Sequence, residues 1–199
     1  MKTKGILMVL EGIDNAGKTH QIKLLAKHFR KLGTLVVITK ELTSPVGNFI
    51  RKKLYSNDLN SLLKTVLFAT DRIIRYEKTI LPALEKGSLV LADRWKLSAL
   101  VYRSMERFDV KFVNAVNSKT PNADLTIILD LPAKISIERG KKSNKISLYN
   151  ISQLEDVRKR YLENARINGF TVINASQPPE IVFEQIVTHI KSLSLFLDA

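Results

Sequence analysis

An apolar run, Ile6 to Leu10, leads into GIDNAGKT at Gly12 to Thr19, and KTHQIKLLAKHFRKLG follows with its apolar residues at helical spacing. A strand, a glycine-bounded loop and a helix in that order constrain the chain more than any other feature. The pattern G-x-x-x-x-G-K-[ST] lets successive backbone N–H groups point inward at phosphate oxygens. The helix that follows adds the positive end of its dipole. Gly12, Ile13, Asp14, Asn15, Ala16, Gly17, Lys18 and Thr19 are therefore the expected nucleotide-binding loop. Lys18 is expected at the β- and γ-phosphates and the Thr19 hydroxyl at Mg²⁺. Asn15 is uncharged in a loop that must face dense negative charge, so part of the compensating charge has to come from elsewhere.

Four further apolar runs read as buried parallel strands: LVVIT (35–39), SLVLA (88–92), LTIILDL (125–131) and FTVINA (170–175). Amphipathic stretches separate them. One runs from Lys18 to Gly33, a second starts after Pro45, and a long one covers about Leu59 to Lys86, bent or ended near Pro82. Asp109 is placed to cap DVKFVNAVN, and ISQLEDVRKRYLENARI and PPEIVFEQIVTHIKSL complete the set. This alternation predicts an α/β chain, a P-loop NTPase-type three-layer fold with a five-stranded parallel sheet flanked by helices. Ligands in such sheets bind at the carboxyl ends of the strands. Residues 1–199 are expected to form one domain, with the polar stretch at about 140–148 as a lid insert between two helices.

The chain has no cysteine and three scattered histidines (His20, His28, His189), so disulfides and a thiolate or zinc site are not expected. No apolar stretch approaches the roughly 20 residues of a membrane span. The start imitates a signal peptide, but Glu11 and Asp14 end its apolar run, and it reads as the first strand of a cytoplasmic protein. The net charge of +13 attracts phosphates generally. Without an aromatic-and-basic stripe of the kind that stacks single strands, nucleic acid is not expected as the partner.

The phosphate loop does not say what receives the phosphoryl group. No N-K-x-D element is present to read a guanine, and a motor normally needs a second core domain, so a kinase of a small metabolite leads. The LADRW segment places Asp93 and Arg94 at a strand end beside the phosphate loop. An acid there can orient Mg²⁺, and an arginine beside it can grip a phosphate in a planar fork.

DRWKLSALVY (93–102) resembles the D-R-Y-x-x-S-x-x-A-Y segment of thymidylate kinases. VLFATDR (66–72), TKELTSPVGNFIR (39–51), PNADLTIILDLPAKISIERG and VINASQPPEIV resemble further segments of that family, in the same order and over nearly the whole chain. The resemblance implies transfer of the γ-phosphoryl group of ATP to dTMP, giving dTDP, and a homodimer. It implies that Phe68 stacks on thymine and that Arg72, four residues on along the same helix, donates to its O4. Arg94 and Arg51 would hold the acceptor phosphate, and Asp14 would approach the sugar 3′-hydroxyl. Ser98 would join the acceptor site, Tyr102 would pack where a ribose 2′-hydroxyl would go, and Asp93 with Thr19 would set the metal. Gln177 lies in the adenine-side segment. The family divides into members with a basic residue in the phosphate loop and members with it in the lid. This sequence resembles the second kind, with Arg139, Lys141, Lys142 and Lys145 as the candidates. Lys40, Leu42, Ala99, Val101 and Arg103 depart from the family pattern around the acceptor pocket. The residues leave open another pyrimidine nucleotide or nucleoside kinase, for example one accepting dUMP, and an ATP-dependent nucleic-acid-binding module.

Overall fold

The structure, a computed structural model, describes residues 5–54, 59–145 and 147–192. Its centre is a parallel sheet whose five strands lie in the order β2-β3-β1-β4-β5. The strands are β1 (Ile6–Glu11), β2 (Val36–Lys40), β3 (Leu89–Asp93), β4 (Leu125–Asp130) and β5 (Thr171–Asn174). Each lies within a residue or two of its predicted run. The helices are α1 (Lys18–Lys31), α2 (Pro45–Lys53), α3 (Ser61–Arg75), α4 (Leu81–Glu85), α5 (Lys96–Met105), α6 (Val110–Val116), α7 (Ala133–Lys142), α8 (Ile151–Asn168) and α9 (Pro179–Ser192).

Side chains of β1 alternate between the faces of the sheet. Leu7 and Val9 join Val90, Ala92, Ile80 and Trp95 on one side. Met8 and Leu10 join a larger core with Ile22 and Leu25 of α1, Tyr161 of α8 and Ile186 of α9 on the other. Both faces are covered, and the strands read as apolar runs for that reason.

Local chemistry sets the helix ends. The Ser44 hydroxyl accepts from Gly47 N at 3.1 Å, Asn60 Oδ1 from Leu63 N at 2.9 Å and Asp109 Oδ1 from Lys111 N at 2.8 Å. Asn150 and Gln153 form a reciprocal capping box at the start of α8. The long stretch read at 59–86 is one helical rod broken by a π-helical turn at Tyr76–Ile80, which ends two residues before Pro82. Proline has no N–H to donate and its ring crowds the preceding turn, so a local change of pitch accommodates it. The insert predicted at 140–148 is helical at its start, because α7 continues through Lys142.

The register fixes the functional end. Leu10 pairs with Asp93 across β1 and β3, and Glu11 with Ile128 across β1 and β4. The sheet order reverses at β1, so the loop after β1 opens into the crevice where ligands of such sheets bind.

Candidate active site

Residues 12–17 form a tight loop between β1 and α1. Gly12 has φ 138°, and a Cβ there would lie 2.5 Å from the Leu129 carbonyl oxygen. Gly17 has φ 96° and Asn15 φ 55°. The buried Lys18 Nζ donates to the loop's own carbonyls, Gly12 O at 2.9 Å and Ile13 O at 2.7 Å. Burial, with the Arg94 guanidinium adding to it, pushes the Lys18 ammonium down to about 8, against the pull of Asp93, Asp14 and Glu11.

Thr19 Oγ1 donates to Asp93 Oδ2 at 2.5 Å. Lys40 Nζ lies 3.1 Å from that hydroxyl and 3.6 Å from the carboxylate. Burial opposes ionisation of Asp93, but Lys18, the Thr19 hydroxyl, Lys40 and Arg94 together outweigh it and lower its pKa. A hydroxyl and an ionised carboxylate at the mouth of the loop are hard oxygen donors. Two protein oxygens fit a Mg²⁺ ion, which keeps several waters and takes the rest of its shell from phosphates.

Arg94 follows Asp93 at φ 70°, a conformation that costs a non-glycine residue energy. Glu11 holds this turn. Its carboxylate accepts from Trp95 N at 2.8 Å, Ser98 N at 3.2 Å, Ser98 Oγ at 2.5 Å and Tyr161 O–H at 3.1 Å. Full burial raises the Glu11 pKa, and the Ser98 bond, Arg94 and the Trp95 N–H counter only part of that rise. Arg94 in turn donates to Ser98 Oγ, Tyr161 Oη and Tyr102 Oη at 3.1 Å each and to Asp14 Oδ1 at 2.7 Å.

Beside this network lies a cavity of about 360 Å³. Of the predicted residues, Asp14, Phe68, Arg94, Ser98 and Tyr102 line it, together with Glu41, Ala99, Arg103 and Tyr149. Arg72 does not line it. Its guanidinium is fully buried, paired with Glu41 at 2.6 Å, hydrogen-bonded to Asn117 and set 5.9 Å from the Trp95 ring centre. Four residues advance a helix by 40° beyond a full turn. That offset and the length of the side chain take Arg72 into the packing beneath Glu41, while Phe68 faces the cavity. Arg51 does not line the cavity either; it is exposed and donates to the carbonyl of Leu42, which does line it.

The remaining candidates surround the far side of the phosphate loop. Arg139 Nη2 donates to Ala175 O at 2.9 Å, just past β5. Gln177 Oε1 accepts from Gln185 Nε2 at 3.3 Å. Lys141 and Lys142 end α7 and Lys145 follows, all three exposed. The sequence reading missed Glu11, Glu41, Tyr149, Tyr161 and Ser147. A carboxylate ending a fully apolar strand was the available signal for Glu11; the other four carry none outside their three-dimensional setting.

The family model described as Thymidylate kinase matches residues 10–186. The chain is similar to the protein named "Probable thymidylate kinase" of Pyrococcus abyssi, 38% identical over 198 residues that cover 94% of this chain and 97% of that one. The protein of the same name from Archaeoglobus fulgidus is 36% identical, with 94% and 95% covered. That from Caldivirga maquilingensis is 32% identical, with 94% and 93% covered. These matches span the strand that leads into the phosphate loop, the Asp93–Arg94 turn and the cavity wall alike, and the chain belongs to the thymidylate kinase family.

Proposed function

We propose that this chain transfers the γ-phosphoryl group of ATP to dTMP, giving dTDP and ADP. One observation carries the reading. The phosphate loop and the Arg94 turn meet at the ends of adjacent strands, on a cavity with an aromatic side chain, Phe68, and an arginine, Arg94, in its walls. An aromatic face suits a pyrimidine ring and a guanidinium suits a phosphate.

Such a transfer needs little covalent chemistry from the protein. The acceptor oxygen must stand in line with the γ-phosphorus, and the charge that spreads over the transferring group must be balanced. The loop N–H groups from Gly12 to Thr19 hold the donor phosphates. Lys18 exchanges the carbonyls of Gly12 and Ile13 for phosphate oxygens, which restores a full cation to a site that depresses its pKa. Mg²⁺, when bound, would be held by Thr19 and Asp93 and would supply positive charge at the phosphates. Arg94 holds the acceptor phosphate, kept in place by Glu11, Ser98 and Tyr161, with Arg51 at the outer rim. Asp14 aims Arg94 and approaches the sugar. Phe68 stacks on the base, Tyr102 closes the space a 2′-hydroxyl would need, and Gln177 borders the adenine side. Arg72 fixes Glu41 in the cavity wall. Arg139, Lys141, Lys142 and Lys145 are the cations of the lid side.

The chain works as one catalytic unit, with the stretch at about 140–148 as its lid. No helix among the described residues is long and apolar enough to cross a membrane, and we place the reaction in the cytoplasm. The exposed side chains of Phe49, Leu62, Leu63 and Val66 form an apolar face on α2 and α3 for a second copy of the chain. Chromatographic detection of dTDP from dTMP and MgATP tests the reaction itself, and its absence would refute the reading.

A further inference from the structure

The side-chain amide of Asn15 has two N–H donors, and both point at backbone oxygens of the lid side. Asn15 Nδ2 lies 3.2 Å from Ser136 O, inside α7, and 3.3 Å from Lys145 O, beyond it. The only polar atom left on that side chain is its carbonyl oxygen, an acceptor, which a phosphate oxygen would repel.

The surroundings are shaped for this contact. Lys145 N donates to Gly140 O at 2.9 Å, so the chain turns back on the end of α7. A Cβ on Gly140 would stand 2.7 Å from Asn15 Nδ2 and 2.6 Å from Lys145 O, and only glycine leaves room for both. Two further bonds join the same parts. Ser136 Oγ donates to Asp14 O at 2.8 Å, and Ser147 Oγ donates to Asp14 Oδ2 at 2.7 Å. Asp14 is the carboxylate that receives Arg94.

We infer that Asn15 is a positioning residue that fastens the segment after α7 to the phosphate loop. The neutral amide stands in for a loop cation indirectly: it binds no phosphate and instead fixes the peptide of Lys145 beside the loop. Among the four lid-side cations this singles out Lys145. Arg139 is engaged with Ala175, and of the three lysines Lys145 is the one whose peptide carbonyl Asn15 meets. The same fastening brings Ser147 onto Asp14, so one arrangement sets the donor side and the arginine of the acceptor side together. The inference rests on the kinase reading above for its catalytic consequence, and on geometry alone for the clip.

Two variants test it from opposite sides. Asn15→Gly removes the amide and tolerates the positive φ. Gly140→Ala favours the helix but pushes the clip apart. Each is compared with the unaltered chain by thermal melting, by tryptic cleavage at Lys141, Lys142 and Lys145 mapped by mass spectrometry, and by steady-state kinetics with dTMP. The expected result is a Tm lowered by no more than a few degrees, with cleavage about tenfold faster and kcat about tenfold lower in both variants, the scale of one or two net hydrogen bonds. KM for dTMP should stay the same. Unchanged cleavage, or faster cleavage with unaltered kcat, overturns the inference. No turnover by the unaltered chain would refute the kinase reading, and the cleavage comparison would still decide the clip.

Discussion

Arg94 Nη2 donates to Asp14 Oδ1 at 2.7 Å, which joins the turn after β3 to the phosphate loop after β1. Burial disfavours the Asp14 carboxylate, but Arg94, Lys18 and the Ser147 hydroxyl more than compensate and lower its pKa. The pair is therefore charged at neutral pH. Asp14→Asn keeps the shape and removes the charge. A hydrogen bond between charged groups is worth about 1.5–3 kcal/mol, so kcat/KM for dTMP should fall by roughly 10- to 150-fold. Steady-state kinetics with varied dTMP measures it; a loss under threefold would remove Asp14 from the orienting role.

The depressed pKa of Lys18 gives ATP binding a pH dependence. Phosphate oxygens favour the ammonium, so the nucleotide binds the protonated form. Affinity for ATP should hold below pH 8 and weaken as the pH rises through about 8, where the free enzyme loses that proton. Lys18→Met should bind ATP more weakly and show no such inflection. For stability the sign is opposite. The unfolded chain holds this proton up to about pH 10.4, so between 8 and that value it binds more protons than the folded form, and the Lys18 contribution to stability rises with pH. Calorimetric titration across pH 6.5–9.5 reads the binding effect. A flat profile for the unaltered chain would contradict it.

Arg72→Ala distinguishes a packing role from direct recognition of the base. Arg72 is fully buried against Glu41, whose carboxylate would be left unpaired. Breaking such a pair costs about 3 kcal/mol, which lowers Tm by roughly 6–12 °C in a chain of this size. A raised KM for dTMP with no change in Tm would instead show that the guanidinium acts on the base and not on the wall.

The apolar face on α2 and α3 sets the expected assembly. Leu62, Leu63 and Val66 are 49%, 46% and 40% exposed, alongside Phe49 at 50%. Light scattering after size exclusion should give twice the 22.5 kDa chain mass. Leu62→Glu with Val66→Glu should shift the protein to monomer. A monomer in the unaltered chain would refute the dimer.

The fold was legible because its signals are local. Apolar runs marked the five strands, and Asp109 announced the start of α6. The phosphate loop and Asp93–Arg94 could be placed together because adjacent parallel strands align their ends. What stayed hidden depends on rotamers and distant partners. Phe68 and Arg72 share a helical face by spacing, yet only one reaches the cavity, because Glu41 and Asn117 draw the guanidinium aside. Glu11 looked like the end of a strand, and its grip on Trp95, Ser98 and Tyr161 spans up to 150 residues of sequence. Asn15 raised the question of missing charge, but the carbonyls it meets lie more than 120 residues away.

The most direct measurement is the initial rate of ADP release with MgATP and, in turn, dTMP, dUMP, dCMP, thymidine, single-stranded DNA or no acceptor, with Lys18→Ala as the control. The expected result is fast release with dTMP and a slower rate with dUMP, since a methyl group is worth only about 1–3 kcal/mol in such a pocket. Release with thymidine, which lacks the phosphate that Arg94 holds, should be near the rate without acceptor, and Lys18→Ala should be inactive throughout. ADP release that is indifferent to monophosphates, or that rises with DNA alone, would contradict phosphoryl transfer to dTMP.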